Sequence, residues 1–219
     1  MRKATLMAII LMVELLAPSF VHAQATLYLS NLGLASNGSA AVASDAWLGR
    51  LFRTGTNPAG YDLNSVQLLM DAASGSPNGF AISLYSNNNG GPGASLGSLS
   101  GSDPATGGIS TYTASELTLS PSTSYFIILT AATPEAQGVY FWSAANVGNY
   151  DYSDGWSIGV LNYSSTDGSN WGYSRSGPGP FQFAIYATPV PEPSTLALAG
   201  LGLLGLSFRR RHRGSSRRL

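Results

Sequence analysis

The chain of 219 residues carries eleven basic and eleven acidic side chains, two histidines and no cysteine, which excludes disulfides, thiolate catalysis and thiolate metal sites. Between Gln24 and Val190 only Arg50, Arg53 and Arg175 stand against Asp45, Asp62, Asp71, Asp103, Glu116, Glu135, Asp151, Asp154 and Asp167, three minus nine, so the body has a net charge of −6 and overall neutrality comes from the two ends. With no positive stripe to neutralise phosphates, the body is not a nucleic-acid binder, and the same balance argues against anionic lipid surfaces.

In chain order, Arg2 and Lys3 precede an apolar run from Ala4 to Leu16, interrupted by Glu14; Pro18 ends it, and Val21, His22 and Ala23 offer a small-residue cleavage site. This is the pattern of a signal peptide over residues 1–23, removed by signal peptidase to leave Gln24 first. Its removal takes His22 with it, and the other histidine, His212, lies in the tail. A body without imidazole lacks the base of a serine triad and the usual zinc and copper ligands. What remains for catalysis is a carboxylate pair of the glycosidase kind, with Asp151 and Asp154 or Glu116 and Glu135 as its loose candidates. The expectation is therefore a protein that is not an enzyme.

Residues 24–189 are long enough for one domain with a sizeable core. Short runs rich in β-branched and aromatic residues, bounded by Gly, Asn, Ser, Asp and Pro, predict strands at Ala46 to Arg53, Leu63 to Met70, Phe80 to Tyr85, Tyr125 to Ala131, Val139 to Ser143, Trp156 to Leu161 and Phe181 to Ala187. Phe126 to Leu129 is apolar throughout and fits a central strand. Phe181, Phe183 and Ile185 alternate with Gln182, Ala184 and Tyr186, predicting one core face and one solvent face. Asn87 to Gly91 tolerates positive φ, Asp154 with Gly155 and Asp167 with Gly168 read as hairpin corners, and Gly90 to Gly101 reads as a loop too polar to pack. Many strands with no helical period predict an all-β fold, a jelly-roll-like antiparallel β-sandwich.

Trp47, Leu48, Phe52, Thr54 and Gly55, then Tyr61, Leu63, Ser65 and Val66, then Leu84 and Tyr85 before Gly90, Pro92 and Gly93, then Leu119, Pro121, Tyr125, Trp142 and Trp156 follow one another in an order that resembles the choice-of-anchor R domain. The resemblance covers roughly Ala46 to Ala187. It implies a bacterial surface protein and brings no catalytic residues.

Aromatics concentrate between Val139 and Tyr173. Trp142 and Trp156 fall in predicted strands and are expected in the core; Trp171, Tyr173 and Tyr152 fall in turn-rich segments and are the candidate contacts for a sugar ring. Asp151, Asp154 and Asp167 are candidate oxygen ligands for a structural calcium, although their spacing is not that of an EF-hand loop and Asp in turns ordinarily bonds its own backbone. No other cofactor is expected.

The tail, residues 190–219, is the most specific segment. Pro191, Glu192 and Pro193 within the motif 190–194 lead into an apolar stretch over 195–208, and Arg209, Arg210, Arg211 and Arg213 open a basic tail over 209–219. From Leu196 to Phe208 a helix would reach roughly 20 Å against a hydrocarbon core of about 30 Å, short for a stable anchor. Three glycines within that stretch also make a poor core helix. The arginines act as a stop, cytoplasmic by the positive-inside bias. Physical chemistry alone leaves a permanent anchor and a temporary one evenly balanced. The tripeptide, short apolar run and arginine cluster, in that order, resemble the PEP-CTERM sorting signal of Gram-negative bacteria. That resemblance implies processing by an exosortase, a transient inner-membrane intermediate, and a destination in the envelope, outer surface or extracellular polysaccharide matrix. The expected role is structural or adhesive, with a carbohydrate-binding module as the alternative.

Overall fold

The structure, a computed structural model, describes residues 24–146, 151–174 and 179–191. The expected signal peptide, Glu192, Pro193, the apolar stretch 195–208 and the basic cluster lie outside the described residues. Fourteen strands follow in order: β1 Thr26–Ser30, β2 Ser36–Val42, β3 Trp47–Arg53, β4 Tyr61–Gly75, β5 Ala81–Asn88, β6 Gly91–Leu99, β7 Gly108–Thr113, β8 Thr118–Leu119, β9 Ser124–Thr130, β10 Gly138–Ala145, β11 Asp151–Tyr152, β12 Ser157–Ser165, β13 Gly172–Ser174 and β14 Phe183–Pro189. No helix occurs among the described residues, and hence none there is long and apolar enough to cross a membrane.

The strands form two antiparallel sheets. The first runs β11-β1-β14-β4-β10-β2, with β7 and β8 on the other edge of β4; the second runs β13-β12-β3-β9-β5-β6. β4 spans the first sheet, pairing along one side with β14 over Tyr61 to Leu68 and with β10 over Met70 to Gly75. In chain order the second sheet receives β3, the first β4, the second β5 and β6, the first β7 and β8, the second β9, the first β10 and β11, the second β12 and β13, and the first β14. That alternation is the winding of a jelly roll.

The main core lies between the sheets, where Phe52, Leu68, Met70, Leu84, Ile127, Leu129, Trp142, Phe183 and Ile185 are fully or almost fully buried. Trp142 stacks on Phe181 with ring centroids 4.6 Å apart, and Trp156 lies parallel between Tyr28 and Phe52 at 5.1 and 6.0 Å. Both indoles are core, as their strand positions predict. Arg50 also points inward between Leu48 and Phe52; it is 2% exposed, and its guanidinium donates to Asn162 Oδ1 at 2.6 Å.

All seven predicted strands are present, and β9 is interior to its sheet with Phe126 to Leu129 buried. Three expectations need correction. Gly90 to Gly101 is not a loop: β6 occupies most of it as an edge strand, because pairing uses the backbone and asks little of its mostly small side chains. The solvent face predicted for the last strand is covered: Gln182 is 0% exposed under the β1–β2 loop, its amide donating to the carbonyl of Leu34 at 2.9 Å, and Ala184 is buried beside it. Asp154 and Gly155, with φ of 50° and 80°, form a turn that carries the chain from β11 in one sheet to β12 in the other rather than closing a hairpin.

Candidate functional site

The strand alternation that fills the core also leaves an apolar outer face on the second sheet. In β9, Tyr125, Ile127 and Leu129 face inward, so Phe126 and Ile128 must face outward, yet both are buried. Their cover comes from neighbouring strands. Tyr163 of β12 meets Phe126 edge to face at 4.9 Å, and its hydroxyl donates to the carbonyl of Gly90 at the tip of the β5–β6 hairpin. Trp47, Leu51, Tyr85, Leu161 and Trp171 complete this second cluster.

Register places one exposed aromatic on it. Tyr173 pairs with Tyr163, which pairs with Gly49, which pairs with Ile128, one row across four strands. Tyr173 is 63% exposed. Gly49 supplies the space for Trp171: a Cβ on Gly49 would stand 3.4 Å from that indole and 2.8 Å from Ile128 Cδ1. Trp171 in turn meets Trp47 at 6.5 Å and 75°.

The β12–β13 hairpin fixes the indoles. Asp167 is the clamp: its carboxylate accepts from the Ser169 and Asn170 backbone N–H groups, the Asn170 amide and the Ser165 hydroxyl, at 2.8 to 3.0 Å. Gly168, at φ 70°, presses on Trp47, since any Cβ would come within 2.8 Å of that ring. The Trp171 N–H donates to the Gly168 carbonyl. Beside the hairpin a shallow cleft of about 320 Å³ is bounded by Asp45, Trp47, Ser164, Thr166 and Asn170, an aromatic wall with hydroxyl, amide and carboxylate groups around it.

These bonds hold the Asp167 carboxyl well below the usual carboxylate range, the Asn170 and Ser169 N–H groups first, then the Asn170 amide and the Ser165 hydroxyl. A depressed folded-state pKa stabilises the hairpin above the ordinary aspartate value near 3.9 and loses that contribution as pH falls toward the depressed value. The near-ultraviolet circular dichroism of the indoles is expected to hold from neutral pH to about 4 and to change below it. Asp167→Ala should shift the signal at neutral pH and abolish the acid step; an unchanged acid step in that variant would refute the role given to Asp167.

The structure thus brings Trp171 and Tyr173 together and adds Trp47, which the sequence marked only as a landmark. Tyr152, 44% exposed, is not with them: β11 pairs with β1 in the first sheet. Asp154 and Asp167 are also apart. They sit beyond opposite ends of β12, whose eight steps from Ser157 to Ser165 cover about 26 Å; the Asp151 side chain lies outside the description, and no cluster of three acidic or histidine ligands occurs among the described residues. The expected calcium set is therefore not one site. Glu116 and Glu135 diverge likewise. One adjoins Leu117, bonded to Leu63 of β4, and the other precedes Gly138, paired with Gly75 at the far end of β4. Twelve steps of strand, roughly 40 Å, exceed the span of a glycosidase pair.

At the opposite end of the sandwich from Trp47 the chain leaves the fold. Pro189 still pairs with Tyr61, the Val190 N–H donates to the Gly60 carbonyl at 3.0 Å, and the Asn57 amide donates to the Val190 carbonyl at 3.1 Å. Pro191 is exposed. Beside this exit lies a second shallow cleft of about 370 Å³, bounded by Tyr28, Thr56, Asn57, Pro58, Asp154 and Pro189.

Comparison with known proteins bears on this exit. The family model described as the PEP-CTERM protein-sorting motif matches residues 189–211. No curated protein and no solved structure matches the chain. Pro191, Glu192 and Pro193, Arg209, Arg210 and Arg211 fall within the match, and Arg213 just beyond it. The chain is an exported, membrane-transiting protein carrying a PEP-CTERM motif for processing by an exosortase.

Proposed function

We propose that the protein is a non-enzymatic component of the cell surface or extracellular matrix of a Gram-negative bacterium, and that it adheres to matrix polysaccharide through the outer face of its second sheet. The observation that carries this reading is the gathering of Trp47, Trp171 and the exposed Tyr173 on one face of the sheet, with a cleft of hydroxyl, amide and carboxylate groups beside Trp47. Rings of this kind stack on the C–H faces of sugars, while the polar groups orient ring hydroxyls. The acidic body favours neutral or amine-bearing glycans over uronates, because a polyanion would meet like charge. The resemblance to the choice-of-anchor R domain and the export motif support a surface role.

Binding of polysaccharide from the producing cell's matrix to the soluble body tests this. Tyr173→Ala and Trp171→Ala are each expected to weaken binding about ten-fold, a loss of about 1.4 kcal/mol. Tyr173→Ala should leave the melting temperature unchanged, because that ring is largely in solvent. Binding that persists unchanged in both variants would remove the site; no binding by the wild type would leave a purely structural component.

A further inference from the structure

The sandwich and the sorting motif share residues. The motif match begins at Pro189, which is still a paired residue of β14, and Val190 is held by Gly60 and Asn57. The Asn57 to Gly60 loop is braced in its own right: the Gly60 N–H donates to the Asn57 carbonyl at 2.9 Å, and the Asn57 N–H donates to the Tyr61 hydroxyl at 3.1 Å. No spacer therefore separates body from signal. Pro193 lies two residues beyond Pro191, at most about 7 Å of extended chain, and Leu196, where the apolar stretch is under way, at most about 18 Å.

An enzyme acting around the tripeptide must accommodate the folded body at this distance. Gripping the chain upstream as an extended peptide would require Val190 to leave Gly60 and Asn57, and Pro189 and Thr188 to unpair from Tyr61 and Asp62. Contact with the surface already there demands none of this. The available surface is the cleft beside the exit, where Thr56, Pro58 and Asp154 are exposed around the aromatic floor of Tyr28 and Tyr61.

We propose that this exit cleft is a docking surface for the exosortase, which engages the end of the folded sandwich together with the motif rather than the motif as a free peptide. The same geometry gives the bound state an orientation. The Thr56 and Asp154 end faces the membrane and the Trp47 end faces away, because β3 runs from Trp47, beside Ser165, to Arg53, beside Ser157.

The test uses the full chain in the producing cell, following the processed fraction by pulse-chase. Inserting eight glycine and serine residues between Val190 and Pro191 moves the motif away from the cleft, and Thr56→Arg alters the cleft with the motif in place. Each is expected to slow processing at least five-fold while the melting temperature of the body stays at the wild-type value. Wild-type processing of the insertion variant would overturn the proposal, because the motif would then be read as a free peptide. Slowed processing of the insertion variant with wild-type processing of Thr56→Arg would overturn it too, by showing that spacing matters and the cleft does not. Glu192→Ala is the separate control: normal processing of that variant would overturn exosortase sorting itself.

Discussion

Trp142→Ala is expected to lower the unfolding free energy by about 3–5 kcal/mol, the range for removing a large aromatic from a packed core. Trp142 is 0% exposed, stacks on Phe181 and donates its indole N–H to the Gln182 carbonyl at 2.9 Å, so truncation loses packing, leaves a cavity between the sheets and breaks a buried bond. For a domain of this size the melting temperature should fall by roughly 6–20 °C. With no disulfide in the chain, packing must absorb the loss. Trp156 supplies the contrast. Its ring is equally enclosed, but its indole N–H is buried with no partner among the described residues. Trp156→Phe keeps an aromatic between Tyr28 and Phe52 and removes a donor without an acceptor, whereas Trp142→Phe breaks a made bond and leaves the Gln182 carbonyl only the longer bond from the Leu69 N–H at 3.2 Å. Denaturant melts followed by far-ultraviolet circular dichroism should rank Trp142→Phe as the more damaging of the two; the reverse order would contradict this account of the core.

Glu192→Ala is expected to reduce the processed fraction at least ten-fold and to leave the fold untouched. The last described backbone bonds of the chain are those of Val190, one residue short of the tripeptide, so the substitution removes none of the contacts described for the body. Intact mass of the protein recovered from envelope and medium decides the matter. The wild type should lack the arginine tail and the variant should retain it to Leu219; a variant mass ending near Pro193 would contradict sorting through this motif.

How far the sequence revealed the fold depended on what each strand uses to hold its place. β3, β9 and β14 are bound by large apolar side chains, and these announce themselves in runs such as Phe126 to Leu129. β2, with the sequence SNGSAAV, and β6, with GPGASLGSL, are bound mainly by backbone pairing at sheet edges, and composition carries no trace of that. The candidate site divides in the same way. Trp171 and Tyr173 were legible because a turn-rich segment presents them. Tyr152 looked equivalent from its place in the chain, but sheet membership separates it, and a short crossing at Asp154 and Gly155 is enough to move the chain between sheets. Trp47 was missed as a site residue because only register, Ser165 opposite Trp47, brings it to the hairpin. Gln182 misled the alternation argument because its cover is a loop 150 residues earlier in the chain.

The place of β14 in the first sheet also sets an order of events. It is the last described strand, yet it lies between β1 and β4, so the slot it fills has two early walls and a late occupant. In a chain exported from its N-terminus onward, β1 and β4 emerge first and hold two unpaired edges open until residues 183–189 follow. Completion of the sheet thus waits for delivery of the residues that lead directly into the motif. A protein cut before that moment would be released with its central strand unplaced and its edges free to pair with other chains, while a tail that keeps the chain end at the membrane holds the missing strand beside its slot until the sheet closes.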